Sequence, residues 1–343
     1  MDGGVHPATR LPNTCPQTER LLPLPFGVFR RPPSSSPIGK KPTGTTRKWK
    51  WKRKGEDSVQ ASEAVLRALE RARFEIIPAR NVDSEIRALP SGVRVAITCS
   101  PRRGIERGLA LAEVVRRLGH PVTLHVAARL VPDRRTVGEI LDRVQELGVD
   151  DLFVIGGDED QPTGPFADAL SLLQAMRDHG GLPRSIGVAA YPEGHPRIPS
   201  PNLLEALRRK QEFATYMVSQ MCFRAEAIAA FLREVEGAGV HLPLVLGIPG
   251  AVAPTKLADI ALRIGVGDSL RFLRRHFGLV GRIATQGAYV ADELLEGLGP
   301  EFASGRVVGV HVYTFNQVHA TYTWWEDTRR VWEERSASPM GRQ

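Results

Sequence analysis

The sequence predicts an α/β fold, a (β/α)8 TIM barrel with a disordered N-terminal extension. Three observations carry that prediction. Eight short apolar or β-branched runs recur between Phe74 and Tyr313. Amphipathic helical stretches separate most of them, which implies parallel strands joined by right-handed crossovers. Eight such strand–helix units in about 255 residues, the helix after the last strand included, match the size of a closed eight-unit barrel. An open doubly wound sheet is the rival, but no G-x-G-x-x-G follows the first strand.

The eight runs are Phe74–Ile77, Val93–Thr98, Val122–Val126, Leu152–Ile155, Ser185–Ala190, Tyr216–Gln220, Leu244–Ile248 and Val307–Tyr313. Their length and β-branched content suit strands buried on both faces. Between them, Ile105–Leu118 sets Leu109, Leu111, Val114, Val115 and Leu118 roughly along one helix face. Arg135–Leu147 does the same with Val137, Ile140, Leu141 and Val144, and Gly148 supplies a stop. Gly287–Leu298 reads as another helix. The interval between strands seven and eight has room for two more, over Thr255–Ile264 and Ser269–Phe277. Trp324 and Trp325, after the last strand, are expected to pack a closing helix.

The charge is unevenly spread. The chain of 343 residues carries 46 Lys/Arg and 38 Asp/Glu, a net of +8. Residues 1–60 hold 12 of those bases and only 4 of the acids, so residues 61–343 carry 34 of each sign. This excludes a globally basic protein. Nine of the 26 prolines also fall in residues 1–60, and the segment is read as a disordered basic tail. Its run Arg47–Lys54 alternates bases with Trp49 and Trp51. Such a run can contact nucleic acid or anionic lipid, but a solvated tail is the favoured reading. The barrel is expected over 61–335, with a flexible C-terminus over 336–343. No stretch approaches the ~18 apolar residues of a membrane helix, and no secretory signal is recognisable. Three cysteines, Cys15, Cys99 and Cys222, have neither metal-ligand spacing nor the number for a disulfide framework. A cytoplasmic location is the default, and no metal is expected.

Barrel enzymes carry their chemistry at the carboxyl ends of the strands, and polar residues gather there. Glu75 interrupts an apolar first strand. An interior carboxylate is costly to bury ionised, and burial would raise its pKa, making it a candidate proton donor. Strand two ends in Thr98 and Cys99. Strand three contains His125, which alone reads more readily as a core residue than as a ligand. Strand four ends Gly156-Gly157-Asp158, where glycines admit a substrate and an acid can stabilise a developing cation. Strand five runs into Tyr191-Pro192-Glu193-Gly194-His195-Pro196, a dense set of functional groups for a turn. Lys210 follows on the next helix, and strand six ends near Gln220, whose amide both donates and accepts.

These motifs resemble the methylenetetrahydrofolate reductase family. "FEIIP" at 74–78 is similar to its first-strand FEFFP. "AAYPEGHP" at 189–196 is nearly identical to its strand-five motif. "LRRK…SQMCF" and "VHVYTFN" resemble its strand-six block and closing strand, and "GGD" stands where the family has Arg-Gly-Asp. The resemblance runs from Phe74 to about Trp325.

It implies reduction of 5,10-methylenetetrahydrofolate to 5-methyltetrahydrofolate for methionine synthesis. Glu75 takes the general-acid position, and Asp158 the position that stabilises the 5-iminium cation. Asp158, Gln220 and Tyr191 fall on the substrate side. Thr98 and Gln220 match nicotinamide-side positions. His125, Gly157, Asp158, Ala167, Tyr191, His195, Arg209 and Lys210 match flavin-contacting positions. The donor is NADH or NADPH, with NADH favoured.

Departures cluster at the flavin end. The family's arginine is Gly156, its tyrosine after the strand-two threonine is Cys99, and an aspartate and asparagine are Leu203 and Ala206. A folate-contacting glutamine falls at Lys256 or Leu257, and an arginine after the last strand is Gln317. Each lost partner would weaken flavin binding by roughly 1–3 kcal/mol. The expectation is therefore that FAD is absent or weakly bound and that hydride passes directly from the nicotinamide. The alternatives are the ordinary FAD-dependent reductase and a folate-binding barrel without turnover.

Overall fold

The computed structural model of the protein describes residues 56–79, 82–99, 104–252, 257 and 287–337. Eight parallel strands close into one barrel in sequence order. They are β1 (Arg73–Ile76), β2 (Arg94–Ile97), β3 (Val122–Ala127), β4 (Asp151–Ile155), β5 (Ser185–Ala190), β6 (Tyr216–Ser219), β7 (Leu244–Pro249) and β8 (Val307–Tyr313). Every strand lies within one residue of its expected ends, inside the usual fraying of element boundaries. β8 pairs with β1, setting Arg73 opposite His311 and Glu75 opposite Tyr313, which completes the ring.

The helices are α1 (Glu56–Glu70), α2 (Val82–Arg87), α3 (Gly104–Arg117), α4 (Arg134–Glu146), α5 (Ala169–His179), α6 (Ser200–Lys210), α7 (Ala225–Gly237), α8 (Gly287–Gly297), α9 (Gly299–Ala303) and α10 (Val318–Ala337). Residues 56–60, expected in the tail, form the first turns of α1. Residues 1–55 of the expected tail, residues 338–343 of the expected flexible C-terminus, and most of the helices expected over 255–264 and 269–277 lie outside the described residues, while residues 336 and 337 end α10.

Local signals explain several helix ends. Asp133 caps α4 by accepting from the Thr136 N–H at 2.8 Å. The same helix ends as a Schellman motif: Gly148, at φ +61°, donates to Gln145 O, and Val149 N donates to Val144 O. α10 draws its cap from a distant element, since Glu85 of α2 accepts from the Val318 and His319 N–H groups at 3.1 and 3.2 Å. A carboxylate suits that end of a helix.

Alternation along the strands divides the apolar side chains into two cores. Phe74, Ile76, Leu124, Leu152 and Val154 point outward and pack under the helices. There Trp325 meets the Phe74 ring edge-on at 5.8 Å, so it packs α10 onto β1 as expected. Phe153, Tyr216, Val218 and Val245 point inward and fill the barrel. The inner positions before the core are polar. Asp151 accepts from Thr123 Oγ1 at 2.6 Å and from the Tyr216 hydroxyl at 2.8 Å, and pairs with Arg73 at 3.3 Å. The Arg73 guanidinium also lies 4.5 Å from the Tyr216 ring centre. This network fills the amino-terminal end of the barrel, so chemistry is left to the other end. Among the described residues no helix is long and apolar enough to cross a membrane.

Candidate active site

A cavity of about 930 Å³ opens at the carboxyl ends of the strands. Glu75, Thr98 and His125 reach it from three neighbouring strand ends, with Cys99 beside them. Gly157, Asp158 and Ala167 follow β4; Tyr191 and His195 follow β5; Arg209 and Lys210 end α6; Gln220 follows β6. The fold thus gathers all the site residues expected from sequence into one cavity, at different depths.

Glu75 sits on the inner face of β1, with its side chain 14% exposed. It has a partner that the sequence reading did not supply: His311 Nε2 lies 3.0 Å from Glu75 Oε2. His125 is the neighbouring inner residue on β3, packed edge-on against Phe153 at 4.8 Å. Burial pushes its imidazolium down to about 4; the Glu75 charge opposes this shift and His311 adds to it. His125 is therefore neutral near pH 7. Its Nε2 and the Thr98 Oγ1 are buried without a hydrogen-bond partner among the described residues. Buried polar atoms are normally paired, so these two mark where a polar ligand would be held.

Asp158 lies at the mouth, not beside Glu75. Its side chain is 93% exposed and 3.7 Å from the Arg197 guanidinium. Gly157, just before it, turns the chain at φ +96°, and a Cβ there would stand 3.3 Å from Ala127 Cβ. Tyr191 meets His195 edge-on at 4.9 Å. Burial, and then the Asp158 charge, raise the Tyr191 phenol, so it stays protonated. Partial burial and then Arg197 lower the His195 imidazolium. Gln220 spends its carbonyl oxygen on the Met221 N–H at 2.9 Å, so its amide N–H groups are what it can offer a ligand.

Lys210 ends α6 in a buried pocket of the cavity. Burial lowers its ammonium to about 8, with Asp168 opposing. Cys99 stays a thiol because burial raises it, against the hydrogen bond with Ala127.

Several residues were not singled out from sequence. Arg129 crosses below the β4 loop and donates to Ala167 O, Glu159 O and Asp160 O. Thr314 Oγ1 donates to Glu75 O at 2.5 Å. Asn316 accepts from Ile77 N at 2.7 Å and donates to Ile77 O at 2.8 Å. Only the strand-eight motif could have signalled the last two, and it says nothing of their distant partners.

A family model of methylenetetrahydrofolate reductase matches residues 88–328. Among curated relatives, a probable methylenetetrahydrofolate reductase (NADPH) of Caenorhabditis elegans is 24% identical over 223 residues, covering 58% of this chain and 32% of its own length. Methylenetetrahydrofolate reductase 2 of Saccharomyces cerevisiae is 25% identical over 220 residues, covering 58% of this chain and 35% of its own. The chain thus spans about a third of the length of these relatives. Among solved structures, an uncharacterised Clostridium thermocellum protein that binds two copies of 5-methyl-5,6,7,8-tetrahydrofolic acid superposes with a TM-score of 0.57 at 12% identity. The superposition covers 79% of this chain and 99% of that one, a likeness of fold. The family match begins after β1, so the position of Glu75 comes from the closed barrel itself. By the match over 88–328, the chain belongs to the methylenetetrahydrofolate reductase family.

Proposed function

We propose that the protein reduces 5,10-methylenetetrahydrofolate to 5-methyltetrahydrofolate, with NADH or NADPH as hydride donor. The observation that carries this reading is Glu75, a half-buried carboxyl group inside a barrel-mouth cavity. A proton from the Glu75 carboxyl goes to N10 of the folate. The bond from N10 to the methylene carbon breaks, leaving a 5-iminium cation. Hydride then adds to that carbon and completes the methyl group, so one hydride and one proton are consumed per turnover. Thr98 Oγ1, His125 Nε2 and the Gln220 amide orient the ligands over Glu75. Tyr191 closes the substrate side, and Asp158 favours the cation electrostatically. Solvent at Asp158 weakens that effect relative to a buried carboxylate. Arg209 and Lys210, in the last turn of α6, offer positive charge to the phosphates of the dinucleotide.

The residues present do not fit a flavin well. Gly156 offers no side chain where the family has an arginine, and a Cβ built there would meet nothing within 4 Å. Arg129, the nearby cation, is committed to three carbonyls. Leu203 and Ala206 give the α6 wall hydrocarbon where the family motif has hydrogen-bonding groups. We therefore infer direct hydride transfer from the nicotinamide to the iminium carbon. An absorbance spectrum of the purified full chain, followed by turnover with and without added FAD, tests this. The expected result is no flavin absorbance and a rate that FAD leaves unchanged. A co-purifying flavin, or activity that requires FAD, would contradict it.

A further inference from the structure

We propose that His311 is a positioning residue, which acts on the reaction through Glu75 and not through the ligand. The proposal rests on the reading of Glu75 as proton donor. His311 does not line the cavity, and its side chain is 2% exposed. Its Nε2 nevertheless meets Glu75 Oε2 at 3.0 Å. In the tautomer with Nε2 protonated, His311 donates to Oε2 and leaves Oε1 to carry the proton for the ligand, so the contact holds the carboxyl rotamer both before and after that proton leaves. The imidazole is itself held in place. Tyr313 stands edge-on at 4.8 Å, His125 lies at 5.9 Å and Phe153 at 6.4 Å.

The backbone beneath Glu75 is clamped by the same strand end. Thr314 takes the Glu75 carbonyl, and Asn316 takes both the N–H and the carbonyl of Ile77. To do so the chain turns through two left-handed non-glycine residues, Phe315 at φ +50° and Asn316 at φ +62°. Such conformations are unfavourable for L-residues and persist where surrounding contacts impose them. The end of β8 therefore directs three side chains, from residues 311, 314 and 316, onto residues 75–77. A carboxyl that must deliver a proton to one ligand atom needs this kind of support, because small misplacements are expensive in rate.

The same geometry leaves a competing arrangement to be tested. Glu75, His125 and His311 bring donor atoms within 4.8 Å of one another, a set that could hold a cation. Chelator-sensitive activity restored by Zn²⁺ alone would make His311 a ligand and overturn the positioning role.

The experiment is a double-mutant cycle in the full chain, measuring kcat and KM for methylenetetrahydrofolate. His311→Phe keeps a ring and removes the hydrogen bond; the expected result is a kcat lower by about 10- to 100-fold, with KM within about threefold. His311→Gln, whose amide can donate to the same oxygen, should recover kcat to within about fivefold of wild type. In a Glu75→Gln background, His311→Phe should cost nothing further, because residues that act through one another are not additive. Should His311→Phe fail to fold, His311→Asn, whose amide stands in for Nδ1 and not for Nε2, replaces it, with a loss confined to kcat; an unchanged kcat overturns the proposal. If wild type turns over but His311→Phe costs the same factor with and without Glu75, the positioning role falls and the reading of Glu75 stands. If wild type shows no folate-dependent turnover, the reading of the site fails, and this role with it.

Discussion

Single residues in this cavity are set by what faces them. Glu75 was legible in the sequence because a carboxyl group interrupts an apolar strand. Its partner was not, since His311 lies 236 positions away and only barrel closure brings it to Glu75. His125 alone read as a core histidine and by the resemblance as a cofactor-contacting position; in the structure its Nε2 is buried in the cavity wall without a hydrogen-bond partner among the described residues. Lys210 gives a pH prediction. Burial lowers its ammonium to about 8, below its ordinary value of 10.5. Between those values the unfolded chain binds more protons, so the burden of this charge on stability is present below about pH 8 and is relieved above it. The proposed dinucleotide binding would run the other way, because the phosphates would need the ammonium. NADH affinity, measured by fluorescence titration, should weaken as pH rises above about 8. Lys210→Gln should bind more weakly at neutral pH and lose that dependence.

At the scale of elements, the strands were legible because burial on both faces demands β-branched and apolar runs, and the helices because one face must be apolar. What escaped the sequence is long-range polar pairing. Asp151, Thr123 and Tyr216 look like unremarkable strand residues, yet with Arg73 they form the closed network at the amino-terminal end of the barrel. Asp151→Ala would leave the Arg73 charge with no carboxylate in a nearly buried site. Such a loss typically costs about 3–5 kcal/mol. Denaturant unfolding should show that loss, while the folded fraction keeps its KM, since the network lies at the opposite end from the cavity. A change of less than about 1 kcal/mol, the range of an exposed ion pair, would show that solvent screens the network.

For the whole molecule, the net charge of +8 gave little guidance, because it belongs to residues 1–60 and not to the balanced remainder. The repeated alternation of strand and helix pointed to an α/β barrel, and the strand-end motifs to the family. The depth of each residue in the cavity was not legible, because depth follows from barrel closure and loop path. Asp158 illustrates this: the motif puts it beside the chemistry, whereas the fold leaves it exposed at the mouth against Arg197. The proposed function stands or falls with Glu75 as the source of the proton for reduction of methylenetetrahydrofolate. The most direct measurement is folate-dependent NADH oxidation by the purified full chain, compared between wild type and Glu75→Gln. Wild type should turn over, and the variant should show a kcat lower by about 10²- to 10⁴-fold, the usual share of a general acid, with KM little changed. Equal rates for the two proteins, or no folate-dependent oxidation by wild type, would contradict it.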